Sequence, residues 1–496
     1  MEQCLAEPQI EPVTQPRAWA PWVALGLAGL VFAGLSLWGA IVSDGFLEAD
    51  ACTHYLYARF ALGAPHYLVN VWGRPVVTAL YAVPAALWGR MGVRVTSLLC
   101  ALAIAAIGYR LARRMKFRWP ELAFVFVLGQ PLVLLHSFSE LTELPFALVL
   151  ALALWAYCAR RWFWVALLAG LLPLARPEGF LFVMLAAVGL VAHRRWWWVL
   201  LLPVPLLLWD WTGWVMYGRP HYSDGWPEGL QWVLWLKMQW PYAQESAYQR
   251  GSLWHFVWFL PAIVGPLMMP AVVLGIIKAV RHVKPPLRKE QVNVALVAVI
   301  PLMILGAHSI LYWRGKMASN GELRYLLTVA VFWGLLAAYG WEWIFQKLQW
   351  RGAVAWAMVA AFVPVLVNVY WRVVPLHLSD EWYEVERMAK WYQADSRSRE
   401  YPRLLVSHPA FYYFMDIDPG DKSKMVEWGR PSVAKMPPGT LLVWHHVYAM
   451  TNSDRERIVP IDEIERAGWI EDVEAEEAFG GYGWRVFKSA RAMRAE

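Results

Sequence analysis

The class of the fold follows from the stretch PWVALGLAGLVFAGLSLWGAIV, residues Pro21–Val42. This stretch contains 22 residues and no charged side chain. A helix of that length, rising about 1.5 Å per residue, can cross roughly 30 Å of hydrocarbon. A cleaved signal peptide has a shorter apolar run and a small-residue cleavage site, so we interpret Pro21–Val42 as an uncleaved membrane anchor.

The composition of the whole chain supports a membrane protein. Of its 496 residues, 59% are hydrophobic and 17% are charged, against about 45–50% and 25% in ordinary soluble proteins. The mean hydropathy is +0.36, and there are 34 Trp residues. These values exclude a disordered, collagenous or coiled-coil chain, and four Cys residues are too few for a disulfide scaffold.

Ten further apolar stretches follow, and with Pro21–Val42 they predict about eleven membrane spans. They are Gly92–Leu111, Trp119–Phe138, Leu144–Ala159, Trp162–Ala175, Phe180–Ala192, Trp196–Tyr217, His255–Val280, Val292–Tyr312, Tyr325–Phe345 and Ala353–Trp371. Three of them are shorter than the usual roughly 17–25 residues. The stretch Pro75–Trp88 is short and contains prolines, which favours a helix lying in the membrane interface.

The Lys and Arg residues predict the orientation, because short cytoplasmic loops are enriched in them. A cytoplasmic tail of residues 1–19 places five short basic loops inside. Their cations are Arg113, Arg114, Lys116, Arg118, Arg160, Arg161, Arg194, Arg195, Arg281, Lys284, Arg288, Lys289, Lys347 and Arg351. We therefore expect an integral membrane protein with its N-terminus in the cytoplasm, surrounded by membrane lipids. The net charge of +7 largely reflects these loops and does not indicate nucleic-acid binding.

Residues 20–371 then form the transmembrane domain, with a first outer loop at residues 43–91, and residues 372–496 form a small α/β domain outside. In this domain we expect helices at Asp380–Asp395 and Ile461–Ala467. Short strands are expected at Leu404–Ser407, Leu441–Trp444 and Trp484–Phe487. The domain has no Gly-rich phosphate-binding motif, so a lid or docking module is favoured over a second reaction centre.

The first outer loop is rich in polar side chains. Glu48 and Asp50 closely follow the first span, and His54 lies one helical turn beyond Asp50. Two carboxylates with an imidazole suit a divalent cation, and a single carboxylate suits general-base catalysis. The alternative is that Asp50 or Asp44 only caps the next helix.

Other ionisable residues lie where predicted outer loops meet the spans. Glu140 and Glu143 occupy one such turn, and their alternative role is that of ordinary surface carboxylates. Arg176-Pro-Glu178-Gly179 joins two short spans, which indicates a recessed turn lining a cavity. Arg176 there suits a phosphate, or else it closes the turn by pairing with Glu178.

A further cation, Arg324, precedes Tyr325 at the entrance of a later span. It suits an anionic headgroup or phosphate, and an interfacial anchor is the equally favoured alternative. Arg74 stands in the sequence Gly73-Arg74-Pro75, directly before the predicted interfacial helix.

The order of these motifs resembles a known family. An acidic E-x-D after the first span is followed by GRP, by LWGRMGVRVTSLLCALAIAAIGYRLARR, by ARPEG and by NGELRYLL. This arrangement over roughly residues 20–371 is similar to the polytopic GT-C glycosyltransferases, near the protein O-mannosyltransferases and lipid A aminoarabinose transferases.

The resemblance implies transfer of a sugar from a polyprenyl-phosphate donor to a lipid, glycan or protein acceptor on the outer membrane face. Glu48 and Asp50 would act on the acceptor hydroxyl or, with His54, hold a divalent metal. Arg74, Arg176 and Arg324 would stabilise the leaving lipid phosphate. The other side chains assigned to the substrate site are His54, Glu140, Glu143 and Tyr325.

Two other classes remain open at this stage. A transporter or flippase of a lipid-linked or sugar substrate would place ionisable groups near mid-membrane and show repeated halves. Here most acids lie at span ends, and the two halves show no convincing repeat. A non-catalytic assembly factor would need the segment after Trp371 but not the acids.

Overall fold

The structure is a computed structural model that describes most of the chain. The described residues are 19–44, 49–70, 72–217, 233, 250–282, 289–317, 319–346, 349–394, 400–450, 457–472 and 483–489. Within these ranges each of the eleven apolar stretches contains helix. The prediction of an α-helical polytopic protein with a small α/β part is therefore confirmed.

The described helices up to residue 371 vary widely in length. They are α1 (Ala20–Val42), α2 (Ala49–Phe60), α3 (Pro75–Arg114), α4 (Glu121–Leu128), α5 (Pro131–His136), α6 (Glu143–Cys158), α7 (Trp162–Ala175), α8 (Gly179–Ala192), α9 (Val204–Tyr217), α10 (His255–Val264), α11 (Met269–His282), α12 (Lys289–Arg314), α13 (Ala330–Ile344) and α14 (Trp350–Val365). Short 3₁₀ segments occur at Pro65–Val69, Trp196–Leu201 and Leu323–Val329, and a π turn at Leu366–Tyr370.

Not every apolar stretch is a straight membrane-crossing helix. Among the described residues, six helical segments are long and apolar enough to cross a membrane. A seventh crossing results if α10 and α11, which meet at 111°, count as one span. Helices α6, α7 and α8 are apolar but shorter. The expected number of about eleven spans therefore stays a prediction.

The helix expected in the interface is joined to the following span. Helix α3 runs from Pro75 to Arg114, with a single interruption at Gly89. Gly89 adopts φ +57° and ψ −143°, a conformation that residues with a Cβ rarely reach. The chain can therefore change direction there without an intervening loop. This break lies between Pro75–Trp88 and Gly92–Leu111, the two segments that the sequence predicted as separate.

Helices α11 and α13 cross at small residues. A Cβ added to Gly340 would lie 1.9 Å from the carbonyl oxygen of Ala271, and one added to Gly275 would lie 2.1 Å from that of Leu336. Such distances are well inside atomic contact, so both backbones approach as closely as glycine allows. Small residues at helix crossings are typical of membrane bundles, where packing stabilises association.

The Gly340→Ala variant should therefore be poorly folded. The added methyl group forces α11 and α13 apart and costs more than the about 1–3 kcal/mol typical of overpacking. The matched control is Gly306→Ala in α12, where a Cβ meets nothing within 4 Å. Thermal unfolding in detergent should show a lower midpoint for Gly340→Ala only; equal midpoints would contradict the close crossing.

The C-terminal segment combines helices with a small sheet. Its described elements are α15 (Asp380–Ala394), β1 (Arg403–Val406), α16 (Ala410–Met415), α17 (Arg430–Lys435), β2 (Thr440–His445), α18 (His446–Met450), α19 (Ile461–Arg466), β3 (Ile470–Glu471) and β4 (Trp484–Lys488). The strand order is β1-β2-β4-β3, with β1 and β2 parallel and the other pairs antiparallel. The strands and helices expected from the sequence are present, and β3 is an addition.

Both faces of this sheet are covered. Leu405, Leu442 and Phe487 belong to a cluster completed by Val433 and Trp469. The alternate side chains of the same strands join the large apolar core that continues into the helical part of the chain. Apolar packing thus connects the two parts.

Polar contacts attach the C-terminal segment to α2. Arg59, in the last turn of α2, forms two hydrogen bonds to the Asp416 carboxylate, at 3.3 and 3.1 Å. Tyr55 packs edge-on against Tyr413, with ring centroids 5.3 Å apart. The segment therefore contacts the same helix that carries two candidate site residues.

Candidate active site

A continuous series of side chains with alternating charge forms the candidate site. We call it the charge chain, and its members in spatial order are Asp50, Arg324, Glu143, Arg176, Glu178 and His308. They come from five separate parts of the sequence. The tertiary fold therefore builds the site from segments that are distant in sequence.

The first end of the charge chain lies on α2. Asp50 occupies its first turn, where a carboxylate is favoured by the helix dipole. Arg324, in the 3₁₀ segment Leu323–Val329, donates a hydrogen bond from Nη2 to Oδ2 of Asp50 at 3.0 Å. The Asp50 side chain is 43% exposed, whereas that of Arg324 is 9% exposed. Asp50 is therefore the accessible end, and Arg324 anchors it from within.

The middle of the charge chain is a buried carboxylate between two guanidinium groups. Oε1 of Glu143, which is fully buried, lies 2.6 Å from Nη1 of Arg176 and 3.5 Å from Nη1 of Arg324. Arg176 also donates to Oγ1 of Thr142 at 2.8 Å. Paired charges are the condition under which burial of ionised groups is tolerated.

The predicted Arg176–Glu178 turn forms an ion pair and also reaches beyond it. Nη2 of Arg176 donates to Oε1 of Glu178 at 3.0 Å, between the ends of α7 and α8. The same carboxylate oxygen lies 3.5 Å from Nε2 of His308. Arg176 therefore closes the turn by pairing with Glu178, and it also belongs to a larger polar site. Its predicted role in phosphate binding stays compatible with this arrangement.

A mainly apolar cavity of about 470 Å³ adjoins this end of the charge chain. Arg176, Glu178, His308 and Tyr325 supply its polar wall. The remaining lining residues are largely aliphatic or aromatic: Pro177, Phe180, Leu181, Ile304, Ala307, Ile310, Leu311, Met317 and Ser319. A cavity with one polar wall suits an amphipathic ligand.

The ring of Tyr325 contacts His308, Arg176 and Arg324. It stacks on His308 with a centroid separation of 4.7 Å and an interplanar angle of 22°. Arg176 and Arg324 lie over the same ring, 5.8 and 5.9 Å from its centroid. The Tyr325 hydroxyl donates to Oδ1 of Asn320. These contacts hold the Tyr325 ring close to both cations, where cation–π attraction adds to their orientation.

His54 and Arg74 lie beside the Asp50 end. Both side chains are buried, at 6% and 7% exposure. Among the described residues, Nδ1 of His54 has no hydrogen-bond partner. Arg74 precedes α3 with φ +57°, an uncommon left-handed conformation for a residue with a side chain.

The surroundings of these groups determine their charge. Burial raises the pKa of Asp50, but the charge and hydrogen bond of Arg324 together with His54 lower it more, so the net pKa lies below its ordinary value. Burial also raises the pKa of Glu178, and Arg176 and His308 reverse this effect. Burial lowers the pKa of His54 to about 4. At neutral pH the two carboxylates are thus ionised and His54 is uncharged.

Most of the residues selected from the sequence are brought together. Asp50, Glu143, Arg176, Arg324 and Tyr325 contact one another directly or in sequence along the charge chain, and His54 influences Asp50 electrostatically. Glu140 is placed elsewhere: it pairs with Arg94. Glu48 lies outside the described residues, so its predicted role and its predicted metal contact stay predictions.

The Arg94–Glu140 pair is a buried structural connection. Nε of Arg94 donates to Oε1 of Glu140 at 3.0 Å, and Nη1 donates to the carbonyl oxygens of Ala40 and Ser43 at 2.8 and 3.2 Å. These contacts join α1, α3 and the turn before α6. Glu140 thus has its own counter-charge in Arg94, and its predicted role in the substrate site stays a prediction.

Glu140→Gln should destabilise the fold because it leaves Arg94 buried without a counter-charge. Removing one member of a buried pair typically costs about 3–5 kcal/mol. The double variant Arg94→Met with Glu140→Met should regain much of the lost stability, since it buries no charge. Chemical unfolding of both variants in detergent tests this; an unchanged single variant would contradict the prediction.

His308 is a member of the site that the sequence did not predict, and Glu178 was predicted only as a partner of Arg176. An available signal was the single imidazole within the predicted span Val292–Tyr312, because ionisable groups inside spans tend to be functional. Among the described residues, the one cluster of three potential metal ligands is Glu381, His408 and His445. A metal is therefore possible in this protein, although this cluster differs from the predicted Glu48, Asp50 and His54.

No protein-family model matches the chain, and no characterised relative matches by sequence. Solved structures do match. The apo structure of ArnT from Cupriavidus metallidurans superposes with a TM-score of 0.63 and 12% identity, covering 96% of this chain and 99% of ArnT.

Two further structures share this architecture. ArnT of the same organism bound to undecaprenyl phosphate gives a TM-score of 0.55 at 14% identity, over 89% of this chain and 97% of ArnT. The apo oligosaccharyltransferase of Archaeoglobus fulgidus gives 0.55 at 10% identity, over 87% and 70%. The chain is thus an integral membrane protein whose fold is that of the polytopic GT-C glycosyltransferases.

Proposed function

We propose that this protein transfers a sugar from a polyprenyl-phosphate donor to an acceptor hydroxyl. The observation that supports this most directly is the charge chain. It connects an accessible carboxylate, Asp50, with two fixed guanidinium groups and ends at a mainly apolar cavity. The fold shared with ArnT and the oligosaccharyltransferase is consistent with this reaction class.

The donor's leaving group fits the cationic part of the site. When the bond between the anomeric carbon and the phosphate oxygen breaks, its electron pair remains on the lipid phosphate, which gains negative charge. Arg176 lines the cavity, and Arg324 lies over the ring of Tyr325, another lining residue. Such fixed cations stabilise charge that develops during reaction. The apolar lining suits the first isoprenoid units of the lipid.

The acceptor side of the reaction fits Asp50. The acceptor hydroxyl oxygen forms the new bond to the anomeric carbon, and its proton moves to a carboxylate. Asp50 is ionised and accessible, so it can accept that proton. A phosphate that takes over Arg324 would also remove the hydrogen bond that now lowers the proton affinity of Asp50. Glu48 remains a candidate for the same role.

Orientation and domain limits follow the same proposal. Residues 20–371 would form the transmembrane domain, with the tail 1–19 in the cytoplasm and residues 372–496 outside. The cell would be a bacterium and the membrane its inner one.

An Asp462→Cys variant tests the outer location, because the Asp462 side chain is exposed. An impermeant maleimide should label the introduced cysteine in intact spheroplasts. Labelling only after lysis would contradict the outer location.

The decisive experiment is reconstitution of the purified chain with polyprenyl-phosphate sugars and membrane extracts. Mass spectrometry should detect free polyprenyl phosphate together with a glycosylated acceptor. Movement of the lipid-linked sugar across proteoliposomes without such a product would favour the transporter alternative. Comparison of envelope glycans and lipid-linked sugars between strains with and without the gene should identify the sugar and the acceptor.

A further inference from the structure

A second cluster of ionisable side chains lies in the C-terminal segment. Parallel strands β1 and β2 end near each other, and side chains that follow such strands meet at one edge of the sheet. His408 comes two residues after β1, and His445 is the last residue of β2. Glu381, from the first turn of α15, completes what we call the sheet-edge cluster.

The distances within this cluster match metal coordination. Oε1 of Glu381 lies 3.2 Å from Nε2 of His408 and 3.6 Å from Nε2 of His445. Ligands at about 2.0–2.1 Å from a tetrahedral ion are about 3.3 Å from one another. The three donor atoms all lie within 4.8 Å of one another, so the cluster needs little movement to surround one ion.

The environment of the cluster also suits a metal. His408 and His445 are buried, at 0% and 1% exposure, while the Glu381 side chain is 36% exposed. An ion would therefore be enclosed on the histidine side and keep access to water beside Glu381. Among the described residues, Nδ1 of His445 has no hydrogen-bond partner, so ordinary hydrogen bonding does not account for this buried ring.

Metal binding requires the tautomer of His408 to change. Its Nδ1 accepts the amide hydrogen of Ala410 at 3.1 Å, so the neutral ring carries its proton on Nε2 and donates it to Glu381. A metal at Nε2 requires this proton to move to Nδ1, and the Ala410 amide must then turn away. Binding is therefore coupled to a small local rearrangement of the backbone after β1.

We propose that the sheet-edge cluster binds one divalent transition-metal ion of the zinc class through Glu381, His408 and His445, with water as the fourth ligand. Imidazole and carboxylate are suitable donors for such an ion. The ion would tie α15 to the ends of β1 and β2. This inference is independent of the proposed sugar transfer, and its test does not measure transfer.

The test uses the full chain without a histidine tag, stripped with chelator and titrated with Co²⁺ or Zn²⁺. Co²⁺ should bind at about one ion per chain with the absorption of a tetrahedral site. Glu381→Gln and His445→Gln should lose more affinity than the about 10–100-fold typical for loss of an outer-shell partner. Zn²⁺ should also raise the thermal midpoint of the unchanged protein.

Two comparisons keep the result interpretable. The matched control is His446→Gln, which changes the exposed neighbouring histidine and should bind metal like the unchanged chain. Glu381→Gln alters a partly exposed side chain and should stay folded, as circular dichroism without metal can verify. Absence of binding by the unchanged chain, or equal binding by Glu381→Gln and His445→Gln, would overturn the proposal.

Discussion

Asp50→Asn should lower the turnover number for sugar transfer by about 10²–10⁴-fold, the usual contribution of a general base. The amide keeps the size of the side chain and can still accept a hydrogen bond from Arg324, but it cannot take up the acceptor's proton. Product formation by the reconstituted protein, measured at saturating donor, gives the turnover number directly. The Michaelis constant for the lipid donor should change much less.

The control for this result is Asp462→Asn. Asp462 forms an exposed i, i+4 pair with Arg466, and such pairs contribute little to stability. The Asp462→Asn variant should therefore retain the full turnover number. If Asp50→Asn is fully active while Glu48→Gln is not, the base is Glu48; if both are fully active, the assignment of the base to this loop is wrong.

Arg324→Gln should lower the ratio of turnover number to Michaelis constant for the lipid donor by about 10²–10³-fold. This is the typical cost of removing one donor that stabilises a developing anion. Binding of undecaprenyl phosphate in nanodiscs, followed by native mass spectrometry, should weaken as well. Arg430→Gln, which breaks an exposed pair with Glu463, is the matched control and should leave binding unchanged.

The same variant should alter the pH dependence. Arg324 lowers the pKa of Asp50, so its removal raises that pKa. Activity that requires ionised Asp50 is lost as the pH falls through this pKa, and the acid limb of the pH–rate profile should move to higher pH. An acid limb that keeps its position in Arg324→Gln would contradict the role of the pair.

The sequence predicted the helical class well because an apolar segment must satisfy its backbone internally in a membrane. It predicted the strands beginning near Leu404, Leu441 and Trp484 because turn residues separate them. It did not predict how the apolar stretches bend. The 111° angle between α10 and α11 lies at Gly265, which adopts φ +100°, and Pro266 follows it. Gly-Pro is a local signal for a break, but the apolar composition of His255–Val280 favoured one continuous span.

In the candidate site, too, the sequence predicted individual residues but not their contacts. Local reasoning selected Asp50, Arg176 and Arg324, since charges near span ends require a partner. Their mutual contacts through Glu143 depend on the tertiary fold, as does the separation of Glu140 into its pair with Arg94. Glu140 and Glu143 lie in one turn but pair with different arginines, and their spacing along the chain does not predict this difference.

If the chain has the proposed function, the contact between α2 and the C-terminal segment has a consequence for the rate of sugar transfer. Asp50 begins α2 and Arg59 lies in its last turn, about 14 Å farther along the helix axis. Asp416 contacts Arg59 at the far end of α2, and Tyr413 packs on Tyr55 in its middle, so a tilt that turned Asp50 away from Arg324 would break these contacts. Restricting such motion before reaction removes an entropic part of the barrier. Under the proposed function, the C-terminal segment would in this way contribute to catalysis by holding α2 in place.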